Sequence, residues 1–104
     1  MLINNKKIDF INSIEQVIET NNILVILLWD KATNNIKEQP YNNVYAVNEA
    51  GVLIWNIKEI TKNDAIYQLI KIDQEGYLVA IDGLGINYTI DVENCVLVKK
   101  RGFK

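Results

Sequence analysis

The sequence contains no histidine, which removes Ser-His and Cys-His nucleophile pairs and most zinc sites in one step. Acid–base chemistry would fall to carboxylates, tyrosine, lysine or the single cysteine, Cys95. Every carboxylate that can be placed lies in or beside a turn, or on the outward side of a strand pattern, where water makes it a poor catalyst. Asp82-Gly83-Leu84-Gly85 invites comparison with a phosphate-cradling loop. A dinucleotide fingerprint needs six positions opening a helix, and here a strand pattern follows, so the segment reads as a hairpin turn. Asp91, Glu93 and Asn94 could offer oxygens to calcium but lack the glycine and the closing bidentate glutamate of an EF-hand loop. Negative charge beside Cys95 disfavours a thiolate, so a structural thiol is expected. No catalytic, cofactor-binding or metal-binding residue is assigned. What remains is six aromatics: Tyr41, Tyr45, Trp55, Tyr67, Tyr77 and Tyr88. These are expected to pack across strands or cap a core. If several share one outward face, they form a contact patch for a partner.

The elements that would hold these residues read as strands. Ile86 to Asp91 alternates apolar and polar side chains, and Ile66, Gln68, Ile70 and Ile72 against Tyr67, Leu69, Lys71 and Asp73 suggest a strand with one mixed face. Tyr77–Asp82, Val96–Lys100, Asn43–Asn48 and Val52–Ile57 are runs of similar character, and Ile23–Trp29 is a seven-residue apolar run suited to a strand buried on both faces. Glycine-bearing turns fall between them at Glu49-Ala50-Gly51, Gln74-Glu75-Gly76 and Gly83-Leu84-Gly85, the spacing of a β-meander. Two segments are open to either reading. Ile14, Val17 and Ile18 fit helical spacing, but Asn21-Asn22 ahead of a β-rich run favours a hairpin. Ile66, Leu69 and Ile70 also fit a helical stripe, and the alternation through Ile72 favours a strand. Asp30 to Asn42 is the longest loop.

The expected fold class is therefore all-β. A single domain over residues 1–104 is built as an antiparallel meander of about seven or eight short strands with at most one short helix. It takes the form of a bent sheet, a sandwich or an open barrel. The length suits one core. One cysteine allows no internal disulfide, which fits a cytoplasmic protein. No apolar run approaches the roughly 20 residues of a membrane span, and no export signal is visible. Residues 1–98 carry seven basic and thirteen acidic side chains, whereas residues 99–104 carry four basic ones and no acid. An acidic body argues against nucleic acid, and the basic end reads as a solvated tail. Fourteen asparagines and seventeen isoleucines read as coding bias more than structural demand.

Residues 44–55, Val-Tyr-Ala-Val-Asn-Glu-Ala-Gly-Val-Leu-Ile-Trp, resemble the blade hairpin of quinoprotein-like β-propellers. Residues 77–98 look like a weaker copy, with Cys95 where the turn glycine would stand and Lys99 where the tryptophan would. The chain also resembles small uncharacterised bacterial proteins with a Tyr-x-x-x-x-x-Gly-x-x-x-Trp hairpin. A closed propeller needs at least about four blades, so no central-channel cofactor site carries over. Function is expected to be that of a non-enzymatic interaction module, binding a protein partner or itself, for instance as a homodimer. An immunity-type protein whose acidic body shields a basic toxin is the first alternative. A small-ligand-binding domain or a carboxylate-based enzyme is the second.

Overall fold

The computed structural model describes residues 2–3, 6–7 and 13–102. Most of the alternating segment 1–10 and Lys104 of the basic end therefore lie outside the described residues. Leu2–Ile3 (β1) and Lys6–Lys7 (β2) form a two-residue antiparallel ladder. Asn21 and Asn22 then sit at φ 50° and 63°, the left-handed pair that a type I′ turn requires and asparagine tolerates. They join Ser13–Thr20 (β3) to Ile23–Trp29 (β4) with Thr20 opposite Ile23. The hairpin reading of this segment holds, and the helical one does not.

Three later hairpins share one device. Asn48, Asp73 and Asp82 each use side-chain Oδ1 to accept from the backbone N–H groups two and four residues on. Gly51, Gly76 and Gly85 follow at φ 81°, 87° and 85°, a conformation in which a Cβ would clash. The result is a three-residue loop ending in a left-handed residue. These loops join Val44–Asn48 (β5) to Leu53–Asn56 (β6), Tyr67–Ile72 (β7) to Leu78–Asp82 (β8), and β8 to Asn87–Asp91 (β9). Val96–Arg101 (β10) is the last strand among the described residues. Lys99 and Lys100 fall in this strand as the run Val96–Lys100 predicts, and Arg101, expected in a solvated tail, belongs to it too. The expected strand at Ile66–Asp73 is also present, as β7.

Between the two halves runs a four-residue helix, Lys58–Thr61 (α1), ended by Lys62 at φ 63°. The long loop carries one 3-10 turn, Ile36–Glu38. The fold is all-β, with two four-stranded antiparallel sheets ordered β3-β4-β5-β6 and β10-β9-β8-β7. Neither closes into a barrel.

The main core draws on both sheets: Val25, Leu27, Val44, Ala46 and Trp55 from the first, Tyr67, Ile70, Leu78, Ala80, Tyr88 and Ile90 from the second. As expected, β4 is buried on both sides, for Ile26 and Leu28 form a second cluster with Val47 on its other face.

Side-chain amides stitch the layers. The Asn43 amide donates to Leu28 O and Tyr67 O and accepts from Tyr67 N, at 2.8–2.9 Å. The Gln16 amide pairs in the same way with Ile70 N and O. Strand β7 would otherwise present unpaired backbone at this edge, and these two amides supply partners that a neighbouring strand would have given.

Candidate functional site

A cleft opens where the long loop meets the second sheet. Asn35 caps the 3-10 turn by accepting from Lys37 N, and the buried Gln39 side chain holds the loop closed by bonding Asp30 N and O. Asn42, at φ 54°, ties the loop to the β7 approach through Ala65, its N–H donating to Ala65 O and its Oδ1 accepting from Ala65 N. Ile36 lies directly over Gly83, where an added Cβ would overlap Ile36 Cδ1. The cleft, about 280 Å³, is lined by Ile36, Lys37, Tyr41, Asp64, Ile66 and Leu84 among others. That is just below the ~300–1,000 Å³ of ordinary ligand pockets. Asp64 at its rim is already engaged by Asn42 Nδ2 at 2.8 Å and Lys58 Nζ at 2.9 Å. Those two contacts, Asn42 first, hold its carboxyl below the usual range.

Asp82 departs from expectation. Its turn position suggested a solvated carboxylate, yet the side chain is 5% exposed. The turn needs Oδ1 folded back over its own backbone, so Oδ2 points inward, where it accepts from Tyr88 OH at 3.2 Å. Leu84 N and Ile86 N occupy Oδ1. Both oxygens are thus engaged within the fold, although the residue also lines the cleft. The neighbouring phenols are equally withdrawn: desolvation raises both Tyr67 and Tyr88 above the ordinary tyrosine value and keeps them neutral. For Tyr67 this outweighs the nearby Thr61 hydroxyl, which favours ionisation but does not meet it in hydrogen-bond geometry.

The six aromatics do not gather on one face. Trp55, Tyr67 and Tyr88 are core residues, the two tyrosines packed edge to face with centroids 5.4 Å apart. They are closed to a partner because inward positions of β6, β7 and β9 carry them between the sheets. Tyr41 is exposed at the cleft, and Tyr45 and Tyr77 are half-buried. Among the described residues no cluster of three or more Asp, Glu, Cys or His could hold a metal. The carboxylate of Asp91 takes Asn94 N and Nδ2 instead, so that segment is a turn.

A family model described as a domain of unknown function, DUF7957, matches residues 1–102. The chain belongs to that family. No curated protein and no solved structure matches it. Among the described residues of this DUF7957 domain, no helix is long and apolar enough to cross a membrane.

The feature that sequence reasoning missed is at β6. Val52, Leu53 and Ile54 are 55%, 53% and 38% exposed, three consecutive large apolar side chains in water on a DUF7957 surface. In the sequence their apolar run reads as an ordinary strand. The missing signal was strand position: β6 is a sheet edge, and among the described residues no further strand pairs with it.

Proposed function

We propose that this domain is a protein-interaction module that works in the cytoplasm. The observation that carries it is the exposed Val52-Leu53-Ile54 run at the β6 edge. Apolar side chains scattered singly need no explanation, but a contiguous group on a small domain marks a contact surface. An exposed Cys95 without a disulfide partner is in keeping with a reducing compartment. The blade resemblance is supported by local form, since each sheet is a four-stranded meander.

The test is sedimentation velocity of the purified domain over a wide concentration range, alone and with its co-purified partner, beside Leu53→Glu. Assembly that Leu53→Glu abolishes while the fold persists supports the reading. A monomer that takes no partner, or assembly indifferent to Leu53→Glu, sinks it. A basic partner released by salt would turn the reading to the immunity type.

A small-ligand reading rests on the cleft, where Tyr41 and Leu84 are 63% and 80% exposed. Its volume ranks it second. Thermal shift against nucleotides, sugars and divalent cations tests it, for a ligand at 100 times its Kd adds about 2.7 kcal/mol.

A further inference from the structure

Strand β10 differs in kind from the other sheet edges. It pairs with β9 alone among the described residues, which leaves its outer edge without a strand partner. Its first half is apolar, with Val96 and Val98 51% and 43% exposed. Its second half is three consecutive cations, Lys99, Lys100 and Arg101, all exposed.

Their faces follow from register. Lys99 stands opposite Thr89, which pairs with Val79, which pairs with Lys71; Arg101 stands opposite Asn87, which pairs with Ile81, which pairs with Leu69. Alternation puts these residues on the face away from the shared core, where Val79 and Thr89 are themselves buried while Lys99 and Arg101 are exposed, because Leu78, Ala80, Tyr88 and Ile90 point into the core. Lys100 takes the opposite face, its ammonium 5.4 Å from the centroid of the Tyr88 ring, where it has a structural role. Lys99 and Arg101 have no ion-pair partner among the described residues, and neither cross-strand row contains a carboxylate.

We infer that β10 is a docking edge for an extended acidic segment of a partner protein, which adds to sheet β10-β9-β8-β7 as a fifth strand and sets alternate carboxylates opposite Lys99 and Arg101. Alternate residues of a strand recur about every 6.6–6.8 Å on one face, the period at which these two cations stand. The open backbone supplies hydrogen bonds, and the cations supply selection. A second β10 offers no carboxylate to these cations, so self-pairing at this edge would leave them without a partner charge. Nucleic acid is the weaker fit: it cannot use the backbone edge, and residues 1–98 carry an excess of six acidic side chains that repels a phosphate chain. This edge and the β6 run belong to different sheets, and α1 is in contact with both strands.

The experiment titrates the domain with two synthetic peptides, Glu-Thr-Glu-Val-Glu-Thr and the same peptide with lysine for glutamate, and follows backbone amide shifts by NMR. The acidic peptide is expected to bind, with shifts centred on residues 96–101, and to weaken about tenfold or more in high salt and in Lys99→Glu/Arg101→Glu. Lys37→Glu, a cation removed from the cleft, is expected to leave affinity unchanged. No binding, equal binding of both peptides, or equal weakening by Lys37→Glu overturns the proposal. Shifts centred on residues 52–54 overturn the assignment of β10 while leaving the interaction reading in place. A single-stranded oligonucleotide that outcompetes the peptide, or self-association abolished by the double charge reversal, assigns the edge to another occupant and also overturns it.

Discussion

Tyr67 brings a hydroxyl into the core without a hydrogen-bond partner, and the indole N–H of Trp55 is in the same position. Such a group loses its water and gains nothing in return, at a cost of about 1–3 kcal/mol. Tyr67→Phe is therefore expected to leave stability at neutral pH unchanged, or to raise it by up to about 1 kcal/mol. The pH response follows from the raised folded-state pKa. Above the unfolded value of about 10, the unfolded chain releases a proton that the folded chain keeps. Stability is thus complete below that pH and falls as pH rises. Tyr67→Phe should make the fall shallower without abolishing it, because Tyr88 is shifted in the same direction. Urea midpoints at neutral and alkaline pH measure both effects. A neutral-pH loss above about 1 kcal/mol would show that the hydroxyl has a partner in solution. Residue types alone concealed this scale. Asparagine abundance read as coding bias, yet Asn21, Asn22, Asn35, Asn42, Asn43, Asn48 and Asn56 each hold a turn, a cap or a junction. An amide that replaces a peptide partner can be recognised only when the two backbones it joins are known to be neighbours.

The strands were legible in the sequence because their signals are local. Period-2 alternation marks β9, and the turns combine a side-chain acceptor with glycine three residues later at Asn48, Asp73 and Asp82. Helix α1 was not legible: four residues are too few for a periodic stripe, and Lys62 is no conventional stop signal. Edges were legible only in part. Each has its own protection: Glu15, Glu19 and a bulge on β3, side-chain amides on β7, cations on β10, and at β6 brevity plus the Glu59 carboxylate accepting from Asn56 N. The β9–β10 turn, like the Asn21-Asn22 turn, has no glycine at its left-handed position. Cys95 occupies a left-handed position at φ 56°, exposed, with only a long sulfur contact to Val92 O. A non-glycine residue costs about 1–2 kcal/mol there, and glycine costs back about half of that in chain entropy. Cys95→Gly should therefore stabilise the domain by about 0.5–1 kcal/mol. A lower urea midpoint for the variant would mean that the thiol contributes packing the turn needs.

At the scale of the molecule, two meanders in sequence could have been two independent units or one. Strand patterns could not decide between a bent sheet, a sandwich and a barrel, because they say which faces are apolar and not which faces meet. The core decides it: inward residues of both sheets form one cluster, and neither sheet could keep its inner face dry without the other. Asn43 and Gln16 add directional bonds across the same boundary. Both tryptophans, Trp29 and Trp55, belong to the first sheet, whereas Tyr67, Val79 and Tyr88 belong to the second. Tryptophan fluorescence and the amide signals of residues 78–91 therefore report different layers. If the layers depend on each other, the two probes should lose structure at the same urea concentration. Asn43→Ala leaves buried backbone groups of both layers unpaired, so it should shift both midpoints together, at a cost of about 2–4 kcal/mol. Transitions that separate, or an Asn43→Ala effect confined to one probe, would show that the interface between the sheets is weaker than the ladders within them. The fold would then be two blade-like units held side by side.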